Sequence, residues 1–70
     1  MNADLAHRLS PREIEVTRLL GEGRTTSEIA TQLRLNPKTV QTYVSNLKAK
    51  LGAANIKQLI RIAVLWRPQE

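Results

Sequence analysis

Between Asn36 and Gly52 the chain reads NPKTVQTYVSNLKAKLG, and the side chains best suited to chemistry are concentrated there. Lys38, Gln41, Thr42, Ser45, Lys48 and Lys50 supply ammonium groups, an amide and hydroxyls, and the segment holds no carboxylate. This is the chemistry of polyanion recognition. Lysines neutralise phosphates, while amides and hydroxyls can both donate to and accept from the edges of bases. It is not the chemistry of catalysis. The sequence has no nucleophile–base pair, no glycine-rich phosphate loop and no cysteine, so it is read as non-enzymatic, without cofactor or metal. The one histidine, His7, has no second ligand near it in sequence and reads as a surface residue. Glu13 falls on the inner stripe of a helix, as a buried catalytic carboxylate would, but a capping role accounts for it fully.

These groups need a helix to present them. At about 100° per residue, Val40, Tyr43, Val44, Leu47 and Leu51 form a core-facing stripe. Lys38, Thr42, Ser45 and Ala49 lie on the opposite arc, flanked by Gln41 and Lys48 on one side and by Thr39, Asn46 and Lys50 on the other. Asn36 is a suitable N-cap, Pro37 fits the first helical position, and Gly52 can take the left-handed conformation that closes the last turn. The other helices announce themselves in the same way. Ser10-Pro11-Arg12-Glu13 and Thr25-Thr26-Ser27-Glu28 are capping boxes, and Asn55 stands at capping-box spacing from Gln58. Helices are therefore expected near 11–22, 26–34, 37–51 and 56–66, with no strand. The second and third are joined by Arg34-Leu35-Asn36 alone, which makes a helix-turn-helix. Arg34 stands where many such turns have glycine, and arginine can take that place if the turn avoids positive φ.

Seventy residues with two aromatics, Tyr43 and Trp66, imply one small domain over 9–66 with an aliphatic core, a flexible lead-in at 1–8 and a tail at 67–70. No apolar run reaches the ~20 residues of a membrane span, no secretory leader is evident, and cysteine is absent, which together suit a cytoplasmic protein. Net charge is +5, and its distribution is one-sided. Residues 1–28 hold four basic and five acidic groups, whereas 29–69 hold seven basic groups (Arg34, Lys38, Lys48, Lys50, Lys57, Arg61, Arg67) and no acidic one. Such asymmetry is the electrostatic footprint expected for nucleic acid, though an anionic membrane or an acidic protein could use the same charge. The fourth helix is apolar on more than one side: Ile56, Leu59, Ile60 and Ala63 face the core, Ile62 and Trp66 sit at an edge, and Val64 and Leu65 point elsewhere. Part of that surface is expected to meet a partner, unless Trp66 folds over Ile62 or a further domain covers it.

LSPREIEVTRLLGEG followed by TTSEIATQLRLNPKTVQTYVSNLKAKLGAAN resembles the DNA-binding domain of LuxR-type transcription factors, also called the NarL/FixJ or GerE type. The resemblance covers about Leu9 to Leu65 through L-S-x-R-E-x-E-V, E-I-A-x-x-L, K-T-V and K-L-G. It implies an all-α, four-helix, bacterial response-regulator-type effector domain whose third helix enters the major groove and whose fourth mediates dimerisation. By position, Gln41, Thr42 and Ser45 match base-facing sites, and Lys38, Thr39, Tyr43, Lys48 and Lys50 fall where backbone phosphates are met. Ile56, Ile60, Ala63, Val64 and Leu65 are expected at the dimer interface. The chain departs from the family in several places: Gln41 and Ser45 often correspond to lysine or arginine, Tyr43 to histidine, Thr17 to leucine and Ile56 to arginine. The expected function is sequence-specific binding of double-stranded DNA as a homodimer, with RNA polymerase and an N-terminal receiver or sensor domain as further partners and no membrane. Two other readings are a protein-interaction module using the basic face and the fourth helix, and a sigma-factor region 4-like domain. The K-L-G followed by another apolar helix argues against the latter.

Overall fold

The computed structural model describes residues 7–66. Four helices account for the sequence pattern: α1 Pro11–Gly21, α2 Thr26–Leu33, α3 Pro37–Leu51 and α4 Ile56–Trp66. No strand occurs among the described residues. Apart from His7 and Arg8, both exposed, the expected lead-in lies outside the described residues, as does the tail with Arg67 and Pro68.

Each helix begins where a side chain satisfies its free amides. The Ser10 hydroxyl accepts from the Glu13 N–H at 3.1 Å, while a Glu13 carboxylate oxygen accepts from the Ser10 N–H at 2.8 Å. Thr25 and Glu28 repeat the exchange at 3.1 and 2.9 Å. Asn36 caps α3 through the Lys38 N–H at 2.8 Å, with Pro37 following it where no donor is needed. At α4 the device is displaced by one residue. Asn55 accepts from the Gln58 N–H at 2.9 Å, but Gln58 reaches back to the N–H of Ala54, not of Asn55. Each such cap is worth about 1 kcal/mol, a large share for a domain of this size.

The first three helices also end alike. A bond from an N–H five residues downstream closes the last turn: Arg24 to the Leu19 carbonyl, Leu35 to Ala30 and Ala53 to Lys48, at 3.1, 2.8 and 2.9 Å. Such closures need a left-handed residue at the corner. Gly23 and Gly52 supply it at φ 91° and 73°, and Arg34 supplies it at φ 57°. Arginine thus takes the place of glycine although the turn does not avoid positive φ. With only three residues between α2 and α3, the chain must reverse at Arg34, and the two carbonyls at the end of α2 hold its N–H there.

The core is aliphatic: Leu9, Val16, Leu19, Leu20, Ile29, Ala30, Val40, Val44, Leu47, Leu59 and Ala63 are buried, with Tyr43, Trp66, Leu33, Leu35 and Ile60 packed around it. Thr17 is fully buried among them, and its hydroxyl donates to the Glu13 carbonyl at 2.8 Å, so the polar group costs little there. Helix α1 packs most extensively on α4, and α3 rests on both α2 and α1. The α1–α4 approach is tight at Gly21, where a Cβ would lie 2.8 Å from the Ala63 carbonyl oxygen.

Two substitutions should move stability in opposite directions. A non-glycine residue in the left-handed region costs roughly 1–2 kcal/mol, and the greater freedom of unfolded glycine returns about 0.4–1. Arg34→Gly should therefore raise unfolding stability by about 0.5–1 kcal/mol in urea titrations. Alanine at position 21 would gain up to about 1 kcal/mol of helix propensity, but backbone cannot yield at 2.8 Å, and overpacking costs about 1–3 kcal/mol. Gly21→Ala should thus lower stability, and a gain would contradict the close approach.

Candidate nucleic-acid interface

The outward face of α3 is the most distinctive surface of the molecule. Val40, Val44 and Leu47 lock one side of the helix into the core, which fixes the rotation of everything opposite. Gln41, Thr42 and Ser45, the residues expected to face bases, are brought together there and exposed, with Lys38, Thr39, Asn46 and Ala49 around them. The Thr42 hydroxyl donates to the Lys38 carbonyl at 3.1 Å, so its proton is used within the helix. The methyl group and the hydroxyl lone pairs remain available to a neighbour. Lys48 is half-buried at one margin of the face, and Tyr43 is half-buried at the other, packed against the core.

Three of the four acidic groups among residues 7–28 are engaged only locally. Glu15 pairs with Arg12, Glu22 with Arg18, and Glu28 accepts from the Thr25 N–H. Lys50 is the exception among the basic residues of α3. Expected at a phosphate, it instead places its ammonium 2.9 and 3.1 Å from the two carboxylate oxygens of Glu13. Glu13 therefore does more than cap α1, and the pairing was missed because its partner lies 37 positions away in sequence. The signal that could have found it was an acidic side chain on the inner stripe of α1 with a basic one just off the inner stripe of α3.

The fourth helix divides as its periodicity implies at Leu59, Ile60, Ala63, Val64 and Leu65, but Ile56, expected toward the core, is exposed. Ala63 is fully buried, packed where α1 and α4 approach, and Ile60 is half-buried against the core. The expectation that Ala63 belongs to a dimer surface is thus corrected: it has no surface to offer. Trp66 also packs against the core, yet Ile56 and Val64 stay 41% exposed and Leu65 75% exposed. Lys57 and Arg61 lie on the same exposed side as Val64 and Leu65.

Two short helices joined by three residues, the second presenting a basic, carboxylate-free outer face, define a helix-turn-helix domain of the DNA-binding class. Comparison with known proteins narrows this. Residues 7–63 match the family described as "Bacterial regulatory proteins, luxR family", and the chain belongs to it. An HTH-type transcriptional regulator of Mycobacterium bovis is 44% identical over 52 residues, 74% of this chain but 6% of that protein. The transcriptional regulatory protein UhpA of Escherichia coli is 43% identical over 53 residues, and FixJ of Azorhizobium caulinodans 39% identical over 57. This chain covers 27% of the length of each of these two. No solved structure matches the chain. Among the described residues there is no group of side chains that could hold a metal ion, and no helix long and apolar enough to cross a membrane.

Burial alone would push the Glu13 carboxyl up, but the Ser10 N–H and the Lys50 ammonium outweigh it and hold its pKa below the ordinary value. A carboxylate depressed in the folded state stabilises the fold above the unfolded carboxyl range, and that contribution is lost as pH falls through the folded value. Because the Lys50 side chain is 39% exposed, we expect Glu13→Gln to cost only about 1–2 kcal/mol near neutral pH. Its urea midpoint should then fall less than that of the wild type between pH 6 and pH 3. Parallel pH profiles for the two proteins would show that the pair does not stabilise the fold.

Proposed function

We propose that this chain is the sequence-specific, double-stranded DNA-binding domain of a transcription regulator, with α3 lying in the major groove. The observation that carries the reading is the exposed face of α3. It combines Gln41, Thr42 and Ser45 with basic residues on a helix whose other side is locked into the core. Gln41 can donate and accept at an adenine edge, and the Thr42 methyl can meet a thymine methyl. Lys38, Thr39, Tyr43 and Lys48 would meet backbone phosphates on either side, which would position the helix without reading sequence. By analogy with relatives several times its length, the domain would act under a receiver or sensor domain and meet RNA polymerase at promoters. A protein-interaction module built on the same basic face would lack duplex affinity. Titration with duplex DNA at two salt concentrations separates the readings, since phosphate contacts weaken steeply as salt rises.

Within the complex the two kinds of contact should behave differently. Gln41→Ala should cost about 1–3 kcal/mol on the preferred site and flatten preference at one base pair. Lys48→Ala should weaken all sequences alike and reduce the salt slope by about one. Uniform loss from both would remove Gln41 from base readout.

We also propose that two copies pair through α4 on adjacent half-sites, using Ile56, Val64 and Leu65, with half-buried Ile60 beneath them. The exposed area is small, so the interface falls below the ~1,200 Å² of stable complexes, and DNA supplies the effective concentration that makes it count. Lys57 and Arg61 share a stripe with Val64 and Leu65 at helical spacing. A two-fold pair therefore brings like charges together, which favours a monomeric or weakly dimeric free domain. Val64→Lys should abolish cooperative occupancy of a two-half-site duplex, and Val64→Glu should abolish it less, because the partner's cations offset the new carboxylate. Unchanged cooperativity in both variants would exclude α4 from the interface.

A further inference from the structure

The one carboxylate that reaches from α1 to α3 belongs to Glu13, and its oxygens are shared between two duties. One oxygen accepts from the Ser10 N–H and from Lys50, and the other accepts from Lys50 as well. The Glu13 side chain is 6% exposed, so its charge has little access to water and depends on these donors. Lys50 stands in the last turn of α3, next to the outward face, with its side chain 39% exposed. It is thus a cation at the margin of a polyanion-binding surface whose ammonium is turned inward.

From this geometry we infer that Glu13 acts as a positioning residue for DNA binding: it withholds Lys50 from the phosphate backbone and ties the end of α3 to the start of α1. The inference rests on the reading of α3 as the DNA-facing helix. A phosphate approaching Lys50 would have to replace a fixed, nearly dry carboxylate with a solvated anion, leaving Glu13 charged and buried with only the Ser10 amide as partner. That exchange is unfavourable, because an internal pair is screened far less by salt than a phosphate contact is. The consequence is a recognition helix that carries fewer phosphate contacts than its lysine count suggests. Sequence-independent affinity is correspondingly lower, and the share of binding that depends on Gln41, Thr42 and Ser45 is higher.

The test is the salt dependence of duplex binding by four proteins, each confirmed folded by circular dichroism. Lys50→Gln in the wild-type background should leave the slope of log affinity against log salt unchanged, because its ammonium makes no phosphate contact. Glu13→Gln keeps an oxygen for the Ser10 N–H but frees Lys50. It should steepen the slope by about one and bind random duplexes more tightly at low salt, an advantage that shrinks about threefold when salt is tripled. The double variant should return to the wild-type slope, which a purely structural role for Glu13 would not predict. The inference is overturned if Lys50→Gln alone flattens the slope as Lys48→Ala does, or if folded Glu13→Gln keeps the wild-type slope. Should Glu13→Gln not fold, the ammonium nitrogen resonance of Lys50 decides in wild-type protein. If it is unchanged on adding duplex, Lys50 remains on Glu13, and a DNA-induced shift like that of Lys48 refutes the withholding. A wild-type protein with no duplex affinity at low salt would instead remove the DNA-binding reading itself.

Discussion

A carboxylate taken out of water must be surrounded by donors, and in this domain that requirement fixes how two helices meet. Glu13 is buried at the first turn of α1, where the Ser10 N–H satisfies only part of it. The remainder comes from Lys50, almost at the far end of α3. The pair therefore sets where the last turn of α3 sits relative to the start of α1, while Val40, Val44 and Leu47 set its rotation. Apolar packing is non-directional and tolerates small slips, whereas a two-pronged ionic contact at 2.9 and 3.1 Å does not. The orientation of the outward face of α3 depends on both.

Most of the architecture was legible in the sequence because its signals are local. A cap and the amide it satisfies lie two or three residues apart, so Ser10, Thr25, Asn36 and Asn55 marked four helix starts without any knowledge of tertiary structure. The stripe of α3 was legible for the same reason. What was not legible involves residues distant in sequence or a competition between two local rules. Lys50 has the right type and spacing for a phosphate contact, and only the fold reveals that a carboxylate is closer. Arg34 obeys the preference of non-glycine residues against positive φ until the three-residue link leaves no alternative. For Ala63 the resemblance pointed to the dimer interface while periodicity pointed to the core, and the close approach of α1 buries it as periodicity implied. Gly21, which permits that approach, reads in the sequence only as a helix end.

Charge is divided between the two halves of the described chain in a way that gives them different duties. The arginines of α1 are matched by Glu15 on the same helix and by Glu22 just past its end, so that half is close to electrically self-contained. Between Glu28 and Glu70 the sequence holds no acidic residue, so nothing nearby in the chain neutralises Lys38, Lys48, Lys57 and Arg61. Their field adds over the surface and attracts a polyanion from beyond contact distance. The field on α3 and the field on α4 have different consequences, however. On α3 the cations surround hydrogen-bonding groups that can discriminate among bases. On α4 they surround Val64 and Leu65, where they oppose pairing of like surfaces in free solution.

The two sides of α3 can therefore vary independently. Its inner side is constrained by the core, by the cap at Asn36 and by the Lys50–Glu13 pair, and a change there alters stability before it alters recognition. Its outer side touches nothing else in the described domain, apart from the bond of the Thr42 hydroxyl to its own helix. Exposed residues such as Gln41 and Ser45 contribute little to holding the fold, so a change at either needs no compensating change elsewhere. On the proposed reading of α3 as the DNA-facing helix, a domain arranged in this way would keep one scaffold and change its target sequence through three or four side chains. Gln41 and Ser45, where the resemblance led to the expectation of basic residues, both lie on that exposed side.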